Sequence, residues 1–309
     1  MTALAGVDIG TLTCRLLIAK IAQEGQLNEL RSDRRLLHLG EGVDHHRRLN
    51  QAAIMRVIDT LREWRTVIEA YQVGRERAVA TSAVRDAENR HEFLASVKRE
   101  AGFHIEVISG EEEARLTMLG IRSGLPPEAP DLLGLDIGGG STEFIFARNG
   151  HRPVVRSVDL GVVRLTERFL RQDPPAAQEI EAARRCIRQE ALAVRPILGD
   201  VSRMTFVGTA GTITTLAAMA QRLPAYEPAR IHQYHLGLNT ITELEQDLLA
   251  RTKAQREGLP GLERGREAVI VAGALILRTV METLEVSDCL VSDLGLREGV
   301  LIDLAQRRE

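Results

Sequence analysis

A chain of 309 residues, 44% hydrophobic and 27% charged, is long enough for two ordinary domains that each bury a core. Its formal net charge of −3 excludes a general attraction for nucleic acid or anionic membranes, so a polyanionic ligand needs a locally basic site. Three scattered cysteines (Cys14, Cys186, Cys289) fit reduced thiols in a cytoplasmic protein and argue against a disulfide framework or a zinc site. Met1 to Gly6 carry no basic segment, so no signal peptide is expected. The longest apolar stretch, Ala268 to Leu277, is half of the ~20 residues that a membrane span requires.

In chain order, strands are predicted near 4–9, 14–21 and 27–37, with Glu24-Gly25-Gln26 as a turn. Ile54, Val57, Ile58, Leu61, Trp64 and Ile68 recur at helical spacing and predict a helix over 51–71. A strand at 76–81, a helix at 90–101, a strand at 104–108 and a helix opening at Glu111 follow. Leu125 to Pro130 contains three prolines, which bar helix and interior strand and mark a linker. Beyond it comes a hairpin around Asp136, with Asn149-Gly150 as its return turn. Helices are predicted over 160–171, 176–195, 211–221, 240–252 and 263–285, then a strand at 288–292 and a terminal helix. This alternation gives an α/β class with mixed sheets.

Two turns of one kind stand out. Asp8-Ile9-Gly10-Thr11-Leu12-Thr13 and Asp136-Ile137-Gly138-Gly139-Gly140-Ser141-Thr142 each lie between apolar runs, and Asp136 follows Asp8 by 128 residues. Thr209, in Gly208-Thr209-Ala210-Gly211-Thr212, follows Thr81 by the same 128. Repeated strand–turn–strand, helix, strand–turn–helix predicts two similar halves facing across a cleft. Glycines let backbone N–H groups approach a phosphate, hydroxyls donate to its oxygens, and an aspartate can hold a divalent cation. A duplicated phosphate clamp is therefore expected.

Glu143 follows the second turn, and with Asp136 it offers oxygen ligands to Mg2+. Ser109-Gly110-Glu111-Glu112-Glu113 has two readings: Ser109 and Glu112 make a capping box, whereas Glu113, one position further, is not needed for it. A carboxylate there is a candidate base for an attacking water. Arg15, Arg85, Arg266 and Arg297 sit beside strand ends or glycine turns, where a guanidinium fork matches phosphate oxygens. The eight histidines show no metal-ligand pattern; His45-His46 reads as a loop pair, and His232 and His235 stay unassigned.

Taken together, these segments resemble the Ppx/GppA family of exopolyphosphatases and guanosine pentaphosphate phosphatases. The resemblance rests on Asp8 to Gly10 with Arg15-Leu16, Ala80 to Arg85, Ser109 to Leu116, Asp136 to Glu143, Gly208 to Thr214 and Val291 to Gly299, in that order along nearly the whole chain. It implies two RNase H-like domains of the actin-like, sugar-kinase-like and heat-shock-ATPase-like superfamily: 1–124 with 300–309, and 125–299. It implies hydrolytic release of terminal phosphate from polyphosphate or guanosine pentaphosphate, aided by Mg2+ or Mn2+. Glu113 falls at the catalytic glutamate, with Asp136, Glu143 and Asp8 at the metal. Thr11, Thr13, Arg85, Gly138, Gly139, Gly140, Ser141, Thr142, Gly208, Thr209 and Gly211 fall where phosphate is held. Arg15 and Arg266 fall where short members meet guanosine tetraphosphate or pentaphosphate, and a homodimer is expected.

The first turn departs from the family's Gly-Ser-Asn-Ser: both hydroxyls persist, but Leu12 replaces the amide. Longer members continue into helical domains that help to hold a polymer. Two rivals share parts of this pattern, an ATP-dependent kinase of the same superfamily and a non-catalytic alarmone sensor. No sugar or adenine pocket is legible for the first, and Glu113, Asp136 and Glu143 speak against the second.

Overall fold

Short apolar runs near the N-terminus, Leu4 to Val7 and Leu16 to Ala19, lie in the computed structural model within β1 (Leu4–Ile9) and β2 (Thr13–Ile21), followed by β3 (Leu27–Leu36). Residues 2–21, 27–126, 131–148, 151, 153–198, 201 and 204–307 are described. After β3 come α1 (Val43–His46), α2 (Gln51–Ala70), β4 (Arg75–Ala80), α3 (Ser82–Asp86), α4 (Arg90–Ala101), β5 (Ile105–Val107) and α5 (Gly110–Ser123). Next are β6 (Leu132–Ile137), β7 (Thr142–Ala147), β8 (Val154–Val158), α6 (Val162–Phe169), α7 (Ala177–Leu198), β9 (Thr205–Thr209) and α8 (Ala210–Ala220). The remainder is α9 (Pro228–Ile231), β10 (His235–Gly237), α10 (Leu238–Leu249), α11 (Lys253–Arg256), α12 (Ile270–Leu284), β11 (Asp288–Val291) and α13 (Leu296–Gln306). Among the described residues no helix is long and apolar enough to cross a membrane.

Packing divides the chain into Met1–Pro126 with Leu294–Glu309, and Pro127–Asp293. The first unit holds a sheet of order β3-β2-β1-β4-β5. β1, β2 and β3 run antiparallel, while β4 and β5 run parallel to β1. Ala5, Val7, Ile9, Cys14, Leu16 and Ile18 point to the face covered by α2 and α4, where Ile58, Leu61, Trp64 and Phe93 complete the core. The opposite face takes α13 and α5: Leu4, Leu17 and Ala19 meet Leu301 and Leu304, and Val79 and Ile108 meet Leu116, Leu296 and Val300. Strands buried on both faces are apolar throughout, which is why β1 gave a clear signal. α5 and α13 approach so closely that a Cβ at Gly299 would lie 1.8 Å from the Leu116 carbonyl oxygen. This packing carries the whole of α13, and so the return to the first unit comes at Leu294 rather than at the expected 300.

The second unit repeats the scheme with one added strand, in the order β10-β11-β9-β6-β7-β8. β6, β7 and β8 form the antiparallel meander, and β9 and β11 run parallel to β6. The expected α/β class and RNase H-like strand order are present in both units. Two registers differ, however: Asp8 lies beside Val79, whereas Asp136 lies beside Thr209. The helix predicted from 263 begins only at Ile270. Gly265 has φ +96°, and the Glu267 carboxylate accepts its N–H at 2.8 Å, so this segment turns before it can coil. The predicted turns at 24–26 and 149–150, and the linker beyond Pro126, lie outside the described residues.

Candidate functional site

In each unit the expected groups sit at the carboxyl ends of the parallel strands, the edge where open α/β sheets bind ligands. The β1–β2 and β6–β7 turns close with the same hydrogen bond. Gly10 N–H donates to the Thr13 carbonyl and Gly138 N–H to the Ser141 carbonyl, each at 3.0 Å. At equivalent positions, the N–H groups of Thr11 and Leu12, and of Gly139 and Gly140, are not spent on backbone bonds among the described residues. Consecutive undonated N–H groups at a tight turn form an anion-binding concavity. Gly40 N–H holds the Thr11 carbonyl at 2.8 Å, and the N–H groups of Leu37 and His38 hold that of Leu12. Leu12 is buried, so the side chain that replaces the family's amide anchors the turn from inside.

Glu113 stands in the first turn of α5, beyond β5 and on the same sheet edge as the β1–β2 turn. Ser109 caps this helix by accepting the Glu112 N–H at 3.2 Å, but the capping box is not closed. The Glu112 carboxylate turns instead to Arg115, at 2.7 and 2.8 Å, and to Arg77 at 3.5 Å. Glu113 is thereby freed of any capping duty. It is 7% exposed, and its Oε2 accepts from Arg85 Nη1 at 3.2 Å. The same Nη1 donates to the Ile108 carbonyl at 3.0 Å. Arg85, expected at phosphate, thus positions the candidate base. Ser82 Oγ, three residues before it, is buried and has no hydrogen-bond partner among the described residues.

In the second unit Asp136 and Glu143 are direct cross-strand partners, so their carboxylates leave the same face of β6 and β7. Both are buried, and Ser157 Oγ donates to Glu143 Oε1 at 2.7 Å. A buried pair of carboxylates beside a glycine turn suits Mg2+, which takes one or two carboxylates and completes its shell with water and substrate oxygens. No larger cluster of His, Cys, Asp and Glu that could cage a metal exists among the described residues. Asp8 occupies the equivalent place at the end of β1 in the first unit.

Several expected phosphate contacts are spent internally. The Thr142 hydroxyl is fully buried and donates to the Leu160 carbonyl. A side chain on Gly208 would meet Cys289 Sγ and Ile213 Cδ1 at 2.6 Å, so this glycine serves packing. A Cβ on Gly211 would come within 2.3 Å of Arg266 Nη2, so its role is to seat that guanidinium. Arg266 is 3% exposed and bonds Glu263 at 2.7 Å, which removes it from the surface. Thr209 is buried at the N-cap of α8 without capping it by its side chain. Thr11, Thr13 and Ser141 are buried at the two turns, and Gly139 and Gly140 form the second.

The sequence reading missed a brace on the second turn. α6 donates Val162 N–H to Gly138 and Val163 N–H to Gly139, at 3.0 and 2.8 Å, and Arg164 Nε donates to Gly140 at 2.8 Å. Gly161 permits this, since a Cβ there would lie 2.2 Å from the Gly139 oxygen. The only sequence signal was Leu160-Gly161 followed by an apolar pair and an arginine. Thr212 Oγ1, donating to the Ile137 carbonyl at 3.0 Å, holds the same turn from α8. Ala210, with φ +70°, was also missed; a non-glycine residue in that region is a strained one. Burial pushes the thiols of Cys14 and Cys289 up, so neither is a nucleophile.

Comparison with known proteins shows the family. A model of the Ppx/GppA phosphatase family matches residues 17–308. The chain is similar to exopolyphosphatase 2 of Mycobacterium tuberculosis strain H37Rv, with 36% identity over 320 aligned positions and 99% of each chain covered. Among solved structures, it is similar to the Aquifex aeolicus Ppx/GppA family member, with 35% identity, a TM-score of 0.84, and 100% and 99% of the two chains covered. An exopolyphosphatase from Cytophaga hutchinsonii shares 27% identity at a TM-score of 0.87, with coverage of 98% and 97%.

Proposed function

The chain belongs to the Ppx/GppA phosphatase family, and from that premise we propose that it releases terminal orthophosphate from inorganic polyphosphate by direct attack of water. The observation that carries this reading is Glu113: a buried carboxylate, excluded from helix capping and aimed by Arg85. It takes a proton from water as the water oxygen bonds to the terminal phosphorus. The bond to the bridging oxygen breaks, and the shortened chain leaves with the electron pair. The N–H groups of Thr11 and Leu12 at the β1–β2 turn, which make no backbone bond among the described residues, and the hydroxyls of Thr11 and Thr13 stabilise the negative oxygens of the transferred group. Asp136 and Glu143 would hold Mg2+ or Mn2+, which supplies charge neutralisation when bound.

Guanosine pentaphosphate ends in the same phosphoanhydride and falls within this proposal as a second substrate, with the half-buried Arg15 as a phosphate contact. Orthophosphate release from both substrates, compared at equal terminal-phosphate concentration and with no acceptor present, tests the reading. Release from polyphosphate supports it. Phosphate transfer seen only with an added acceptor would make the protein a kinase, and tight nucleotide binding without turnover would make it a sensor.

A further inference from the structure

Arg15 and Arg34 oppose each other across β2 and β3 as direct register partners, so both side chains leave the same face of the first unit's sheet. This is the face that α13 covers through Leu301 and Leu304, with Leu17 two residues along from Arg15. Like charges placed directly opposite weaken a strand pair. Both arginines are half-buried, which limits screening by solvent. The Arg15 side chain makes no hydrogen bond or ion pair among the described residues, although Asp8 is its neighbour on β1. A third guanidinium reaches the same face from α13. Arg297 Nη1 donates to Ser32, two residues from Arg34, while its Nη2 pairs with Glu298. Asp8 and Glu298 are the acidic groups beside this cluster. The cluster begins two residues after Thr13, at the end of the phosphate-binding turn.

A pair of arginines set face to face, one of them without a partner, is an arrangement that an anion between them would relieve. Guanidinium forks bind phosphate oxygens bidentately, and each internal unit of a polyphosphate chain carries one negative charge with two free oxygens. We propose that Arg15 and Arg34 are the two arms of a clamp for an internal phosphate of the substrate chain, next to the terminal group held by the β1–β2 turn. This inference rests on the polyphosphate reading above and assigns Arg34 a direct contact with substrate.

The test is equilibrium binding of polyphosphate under chelation, where binding is read without turnover, to wild type, R15A, R34A, R34K and the double variant R15A/R34A. Loss of one charged hydrogen-bonding arm should weaken binding roughly 10- to 100-fold in R34A, with R34K in between. The double variant should lose less than the product of the two single losses, because two arms on one phosphate are coupled. Affinity within twofold of wild type in R34A and R34K would overturn the clamp. So would independent, multiplying losses, or a wild type that does not bind under chelation, since guanidinium arms need no metal. Arg34-dependent binding by a wild type that releases no phosphate would sink the hydrolase reading and leave the clamp standing.

Discussion

Replacing Glu113 by Gln removes one charge and the capacity to accept a proton while keeping the side chain's shape. The base contributes 10²–10⁴-fold in reactions of this kind, so turnover should fall at least ~100-fold, equivalent to about 2.7 kcal/mol of barrier. The cost to folding should be small. Glu113 and Arg85 make a pair at 3.2 Å whose side chains are 10% and 24% exposed. Solvent therefore screens it in part, Arg85 keeps the Ile108 carbonyl, and the new amide oxygen can still accept, so about 1 kcal/mol at most is lost. At roughly 2–4 °C per kcal/mol for domains of this size, the melting midpoint should move by less than about 4 °C. Initial rates of phosphate release, resolved into kcat and KM and read beside a thermal melt, separate the two effects. A variant that keeps more than half of the wild-type kcat would refute the assignment. A loss confined to KM would reduce Glu113 to a binding residue.

Hydrolysis should stop on exhaustive chelation, and Asp136→Asn and Glu143→Gln should each raise the Mg2+ concentration that gives half-maximal rate; full activity without divalent metal would dismiss the two carboxylates as ligands. Hydrogen bonds from Arg115 hold the Glu112 carboxyl below its ordinary range. Burial opposes the same change at Asp303, but bonds from Arg115 and Arg307 prevail and lower it as well. Both groups therefore add stability above their unfolded values, 4.5 and 3.8, and that stability is lost as pH falls through the lowered folded values. D303N should accordingly flatten the acid limb of a melting-temperature profile, and a profile parallel to wild type below pH 4.5 would contradict this. Ala210→Gly should keep or raise the melting midpoint, because relief of ~1 kcal/mol of left-handed strain offsets glycine's similar entropic cost; a fall of several degrees would count against strain at that residue. Gly161→Ala should destabilise by roughly 1–3 kcal/mol through its collision with Gly139, and an unchanged denaturant midpoint would show that the turn can yield.

What the sequence determined by itself is local. Helical periodicity placed α2 and continuous apolar runs placed the buried strands, because those patterns depend on which faces meet the core, and the core is the same wherever the partner helices come from. The two glycine turns were legible because a turn's hydrogen bond closes over three residues, and its repetition 128 residues later survives to the bond length. Glu113 was separable from capping because the cap's geometry is fixed by spacing within one helical turn. What only the tertiary structure decided are contacts between groups far apart in the chain. Arg85 reaches Glu113 across 28 residues, Arg164 braces Gly140 across 24, and the turn before α12 delivers Arg266 to Gly211. Whether a hydroxyl or glycine also serves the interior depends on such partners, which is why the bond from Thr142 to the Leu160 carbonyl and the packing of Gly211 on Arg266 were not legible in the sequence. The period of a strand shows which face a side chain leaves, but only the neighbouring strand's register placed Arg34 opposite Arg15.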